Sequence, residues 1–355
     1  MDFESRIGQL FFVGIPGRSV TPELTQFLGA VRPGGIVLFA RNIEEAGQVR
    51  SFCASLSSAV DPPPFLSVDQ EGGRVNRLLP LVGALPPPLA VSRSGEEASR
   101  RFGRHTGRAL KALGFNMDFA PCVDLSSPEA TNGIAERAFG REPGVVSRLA
   151  GTFLSGLQSA GIAGVIKHFP GLGPTDADTH LSLPTSTKSA PALWEEDLVP
   201  FRVLAGEAGA VMVAHAHYTA WDPATDTPAS LSPAVATDLL RRRIGFDGVA
   251  IPDDLEMGAV RQRGTPGELA LQSLLAGSDM PMFCSSREQI TQAHATLCEA
   301  VRDGRLTEER VEVSLARILR LKKRLGLRPL PETLPREEFA SAAAELARLR
   351  DECAV

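Results

Sequence analysis

Four of the chain's six histidines fall between His168 and His217, and carboxylates recur near the same class of position. The densest segment runs Lys167-His168-Phe169-Pro170-Gly171-Leu172-Gly173-Pro174-Thr175-Asp176-Ala177-Asp178-Thr179-His180. A Lys-His pair is followed by a Gly/Pro-rich return and then Asp-x-His. An aspartate two residues from a histidine can fix its tautomer and stabilise the imidazolium, which suits general acid/base work. Asp253-Asp254 and Asp69-x-Glu71-x-x-Arg74 add carboxylates that could act as nucleophile, base or hydroxyl ligand. One such histidine alone reads as a core or surface residue. A cluster of this density reads as a site.

Eight short apolar runs position these residues: Gln9–Gly14, Gly35–Phe39, Pro64–Val68, Phe115–Phe119, Ala163–Lys167, Ala210–Ala214, Gly248–Ile251 and Asp279–Phe283. Being apolar on both faces, they suggest buried parallel strands. Between them lie helical stretches: one opened by Thr21-Pro22-Glu23, then Glu44–Ala59, Glu96–Leu113, Pro143–Ala160, Leu193–Ala208, Pro233–Arg242, Pro266–Ala276 and Ser286–Arg302. Strand and helix alternating eight times predict a single α/β domain, a (β/α)8 TIM-type barrel. An open doubly wound sheet is the alternative, but Gly171-Leu172-Gly173 is not followed by the spacing of a dinucleotide fingerprint. We expect the barrel over 1–330 and a C-terminal helical tail over 331–355. In a barrel the chemistry sits just past the strand ends. Those positions hold Arg41, Asp69 with Glu71 and Arg74, Asp118 with Asp124, Lys167 with His168, His215 with His217, Asp253 with Asp254, and Cys284. The strand starts carry mostly Gly, Pro and Ala, and that asymmetry favours an enzyme.

Lys167-His168-Phe169-Pro170-Gly171, then Gly173, then Asp178-x-His180, resembles the signature of glycoside hydrolase family 3, and within it the NagZ-type β-N-acetylglucosaminidase branch. Val68-Asp69-Gln70-Glu71-Gly72-Gly73-Arg74-Val75, Arg137-Ala138-Phe139-Gly140 and Pro252-Asp253-Asp254-Leu255-Glu256-Met257 agree with it. The resemblance spans about Ile7 to Phe283. It implies Asp253 as nucleophile, His180 as acid/base residue and Asp178 as its partner. It further implies that Asp69, Arg77, Arg137, Lys167 and His168 bind the sugar beside the scissile bond. Two departures occur: Pro252 precedes the nucleophile where Ser or Thr is usual, and Leu172 replaces a loop histidine. We expect Leu172 to affect loop packing or leaving-group contacts more than chemistry.

The implied chemistry is physically coherent. Retaining glycoside hydrolysis needs a nucleophile and an acid/base group on opposite sides of the bond. A histidine in the second role moves the donor's pKa from ~4.3 to ~6.5, nearer neutrality. Many relatives take that acid from a second domain, for which 355 residues leave no room beside a barrel, so we expect Asp178 and His180 to supply it. The expected activity is a retaining exo-β-N-acetylglucosaminidase, with peptidoglycan fragments as the substrate the family implies. β-Glucosidase or phosphorylase activity on the same residues, a metal-dependent hydrolase using His215-x-His217, and a non-catalytic sugar-binding protein are the alternatives.

A net charge of −5 provides no basic field for nucleic acid or anionic membrane. The acidic start, Met1-Asp2-Phe3-Glu4, does not read as a secretion signal, and no apolar run approaches the ~20 residues of a membrane span. Five scattered cysteines without C-x-x-C read as reduced thiols. We therefore expect a cytoplasmic monomer acting on a small carbohydrate, with no cofactor and no metal.

Overall fold

The computed structural model describes residues 1–126, 133–173, 175, 183–333 and 335–354. All eight expected runs form strands of one parallel sheet: β1 (Phe12–Gly14), β2 (Gly35–Val37), β3 (Phe65–Val68), β4 (Met117–Asp118), β5 (Ala163–Phe169), β6 (Ala210–Val213), β7 (Val249–Pro252) and β8 (Met282–Phe283). Each pairs with the next from β1 to β7, and β8 pairs back onto β1. Across the remaining seam Asp279 N donates to Ala250 O (2.7 Å) and Leu255 N to Met282 O (2.9 Å), so hydrogen bonds outside a regular ladder draw the ring together. The strands are buried on both faces, as their composition requires. Phe12, Phe65 and Phe119 pack ring on ring between β1, β3 and β4. Where β1 meets β8 the backbones approach so closely that a Cβ on Gly14 would lie 2.1 Å from the Cys284 carbonyl oxygen.

The crossover helices follow the expected caps. Thr21 accepts from Leu24 N with Pro22 in the first turn, and Thr265 with Glu268 forms a reciprocal capping box. One expectation fails. The stretch Leu193–Ala208 is not a single helix but two short ones, Ala190–Glu195 and Val199–Leu204. Glu196 leaves helical geometry, and Pro200, which has no N–H to donate backwards, sits where a new helix can begin. After β8, the helices Glu308–Leu325 and Arg336–Glu352 pack back on the barrel, the latter through Arg101–Glu352 and Arg108–Glu338 ion pairs. Among the described residues no helix is long and apolar enough to cross a membrane.

A buried cation lies beneath the barrel. Lys322 donates to Gln9 Oε1 at 2.7 Å and stands 5.4 Å from the Phe65 ring centre. Burial pushes its ammonium down to about 7, with only a weak opposing pull from Asp61. Between that value and ~10.5 the unfolded chain holds a proton that the folded chain lacks, so this residue makes stability rise with pH, and its full penalty persists below pH 7. Lys322→Met should therefore raise Tm by about 5 °C at pH 6–7, with the gain shrinking toward pH 10. Thermal melts across that range check it; a gain independent of pH would contradict the titration argument.

Candidate active site

The strand ends converge on one cavity of about 480 Å3. Asp69, Arg77, Arg137, Lys167, His168 and Asp253, six of the eight residues expected at the site, line it together. Asp178 and His180 lie outside the described residues.

Asp69 follows β3 directly and leads into a tight antiparallel ribbon, Gln70–Gly72 against Val75–Asn76. Gln70 fixes that ribbon: its N–H donates to Asp118 Oδ1 (2.9 Å) and its amide bridges Asn76 Oδ1 and Leu78 N. Gly72 turns it with φ +97°, and a Cβ there would meet the Pro86 carbonyl at 2.5 Å. The ribbon drives Glu71 into the barrel, where only 1% of its side chain is exposed.

Glu71 is the keystone of a buried network. Arg137 grips it bidentately at 2.8 Å through Nε and Nη2, and Lys167 Nζ donates to Oε1 at 2.6 Å. Lys167 also donates to Asp69 Oδ1 at 2.7 Å. Burial alone would raise the Glu71 carboxyl, but Arg137 and Lys167 outweigh it and hold it well below the usual carboxylate range. Burial likewise opposes the Lys167 charge, yet Asp69 and Glu71 keep the ammonium above its ordinary value. Asp69 is thus presented as an oriented carboxylate, and its partner is Lys167 rather than Arg74, which donates to the Gly133 carbonyl.

His168 is held in one tautomer. Arg137 Nη2 can only donate, so His168 Nε2, 3.3 Å away, is the acceptor and Nδ1–H donates to Asp124 Oδ2 at 2.7 Å. Asp124 also accepts from Leu172 N at 2.7 Å, and Leu172, buried in this loop, borders the cavity. Burial raises the Asp124 carboxyl, and His168 more than reverses that. Lys167 and His168 both line the cavity although neighbours on a regular strand face opposite ways. The ladder from β5 to β6 shifts register between Ile166 and Phe169, which allows it.

The two aspartates after β7 have different fates. Asp253 Oδ1 accepts from Asp254 N at 2.8 Å, half-buried at the cavity wall. Burial would raise its carboxyl, but His215, His168, the Asp254 N–H and Lys167 outweigh it and keep it below the ordinary value. Asp254 Oδ1 accepts from Glu256 N (3.0 Å) and Cys284 N (3.3 Å), yet burial, with Glu256 and Asp253 adding repulsion, pushes it up to about 7. The same strand end thus holds one carboxyl below and the other above the ordinary carboxylate value.

Among the described residues His215 and His217 belong to no cluster of three ligand-type side chains close enough to hold a metal. Each directs Nε2 to a backbone carbonyl at 2.9 Å, Asp254 O and Asp222 O, so each of those nitrogens carries hydrogen and offers no lone pair. Arg77 borders the cavity with a buried Nε that has no partner among the described residues, a donor open to a ligand. The sequence marks Glu71, Asp124, Asp254 and His215 as strand-end residues, but the resemblance assigns them no role. The structure places all four in or against the site, as partners of the residues that it does assign.

Residues 3–321 match the family model of the glycosyl hydrolase family 3 N terminal domain. A β-hexosaminidase of Pseudomonas aeruginosa is 38% identical over 285 residues, 80% of this chain and 84% of that protein. One from Nitrosomonas eutropha is 34% identical over 325 residues, 89% of each. Among solved structures, a family 3 β-N-acetylglucosaminidase from Paenibacillus sp. superposes with TM-score 0.91 at 33% identity, covering 99% of this chain and 69% of that one. NagZ from Neisseria gonorrhoeae superposes with TM-score 0.81 at 30% identity, covering 96% and 97%.

Proposed function

The chain belongs to glycosyl hydrolase family 3, and we propose that it is a retaining exo-β-N-acetylglucosaminidase whose nucleophile is Asp253. The observation that carries this reading is an anionic, half-buried Asp253 sharing one cavity with the ordered Asp69–Lys167–Glu71–Arg137 network. Asp69, Arg77 and Arg137 offer a carboxylate and two guanidiniums to sugar hydroxyls, and Lys167 and His168 hold two of them in place.

Asp253 attacks the anomeric carbon as His180 protonates the departing oxygen. The covalent glycosyl-enzyme is then resolved by water from which His180 takes a proton. Asp178 orients the imidazole and stabilises its charged form. The substrate class is N-acetylglucosamine β-linked to an anionic peptidoglycan fragment. Arg41 and Arg74 support it: both lie exposed on the cavity rim, where a carboxylate on the leaving group would pass. All five cysteines are unpaired and buried, in keeping with action in the cytoplasm.

The test is a leaving-group comparison. His180→Ala should slow a poor alkyl leaving group by about 1,000-fold and an activated nitrophenyl N-acetylglucosaminide by about 10-fold, because only the poor one needs a proton. Equal losses on both would remove His180 from the acid role. Faster turnover of nitrophenyl glucoside than of the N-acetylglucosaminide would overturn the substrate assignment.

A further inference from the structure

The opposite end of the barrel holds a second cavity that the reaction does not use. It lies at the strand starts, bordered by Gly209 before β6 and Gly248 before β7, and one wall is the helix Glu308–Leu325. Its volume is about 490 Å3, within the range of small-molecule sites.

Four guanidiniums border it. Arg317, Arg320 and Arg324 share one face of the helix at i, i+3 and i+7, and Arg202 comes from the helix Val199–Leu204. The sole carboxylate among the residues lining it is Asp247. Arg317 (3.0 Å) and Arg320 (2.8 Å) already share that carboxylate. Arg317 also reaches buried Asp279 at 3.2 Å, but Arg241 and Arg310 compete for the same group. Arg202 stacks 4.2 Å from the Trp194 ring centre and donates to a carbonyl, and Arg324 has no carboxylate partner among the described residues.

Four guanidiniums, Arg241, Arg310, Arg317 and Arg320, therefore share two carboxylates, and Arg202 and Arg324 add two more cations with no carboxylate partner among the described residues. Behind the wall, burial above all, with some repulsion from Arg317, holds Arg241 and Arg310 below their ordinary values, while Asp279 and Asp247 outweigh burial and keep Arg317 above its own. A concave wall of one sign focuses its field on whatever enters, and three of its guanidiniums, Arg202, Arg320 and Arg324, are exposed to meet it. Cβ positions at Gly206 and Gly245 face open space, leaving the backbone approachable.

We propose that this cavity binds a small polyanion bearing phosphoryl groups. Four lining cations against one anion leave three positive charges. A monocarboxylate neutralises one of them, whereas a phosphoryl group brings about two charges and oxygens that match guanidinium forks. Because barrel chemistry sits at the other face, this is a binding site and not a second catalytic centre.

The experiment is calorimetric titration of the full chain with inorganic pyrophosphate, and separately with glycerol phosphate, against sodium chloride of matched ionic strength. We expect saturable binding at one site per chain with Kd below about 1 mM. Preference for one of the two probes separates a free inorganic anion from an organic phosphate ester. Arg324→Glu, an exposed position, should weaken binding at least tenfold while nitrophenyl N-acetylglucosaminide turnover is unchanged; Arg202→Ala is the second variant should the first not fold. No saturation, or binding that survives both variants and is lost in Arg77→Ala at the barrel mouth, would overturn the proposal.

Discussion

Asparagine in place of Asp253 should lower kcat on a nitrophenyl N-acetylglucosaminide by on the order of 10,000-fold, with Tm nearly unchanged. The amide keeps the side chain's shape and can still accept from Asp254 N, but it cannot form the glycosyl ester. The environment supports the proposed role of Asp253 as nucleophile. His215, His168 and Lys167 sustain an anion there despite burial, while its neighbour Asp254 is pushed up to about 7. Asp254→Asn should consequently reduce kcat far less, by about tenfold, through misplacement of the strand end that it holds to Glu256 and Cys284. Trapping with a 2-fluoro glycoside and mapping the labelled peptide checks the assignment independently. Label on Asp254, or an Asp253→Asn enzyme with a tenth of wild-type kcat, would sink it.

The second large effect is on stability as well as turnover. Glu71→Ala removes the carboxylate that Arg137 and Lys167 share. Lys167 retains Asp69, but Arg137 is left buried with only His168 Nε2 as a side-chain acceptor among the described residues. Uncovering one charge of a buried network destabilises by about 3–5 kcal/mol, or roughly 5–10 °C in Tm for a chain of this size. The Glu71 carboxyl titrates below its unfolded value, so its contribution is complete above ~pH 4.5 and fades as pH falls from there toward the depressed folded value. The gap in Tm between wild type and variant should stay constant from pH 5 to 8 and narrow below that. Because Lys167 loses one of the two carboxylates that fix it, and Asp69 takes its orientation from Lys167, kcat/KM should fall by about 100-fold. A variant as stable and active as wild type would show that the network is ornamental.

Much of this was legible in the chain itself. Strands buried on both faces must be apolar throughout, so the eight runs between glycines, prolines and aspartates stood out, and their alternation with helices left few folds to choose from. The strand ends then marked Asp69, Lys167, His168 and Asp253, and one cavity collects them. The misjudged stretch, Leu193–Ala208, shows the limit of periodicity: apolar spacing survived a break that Pro200 imposes on the backbone.

What the linear order withheld is whatever depends on partners from elsewhere in the chain. Arg137 meets Glu71 across 66 positions and Lys167 meets Asp69 across 98. A register slip in β5 turns two adjacent side chains into the same cavity. Asp253 and Asp254 are identical in type and adjacent in sequence, yet one is held as an anion and the other near neutrality. Residue type and spacing determined that carboxylates would gather at a barrel mouth. Only folding decided their charges, because a carboxylate's proton affinity is set by the water it loses and the cations brought beside it, and both are products of packing.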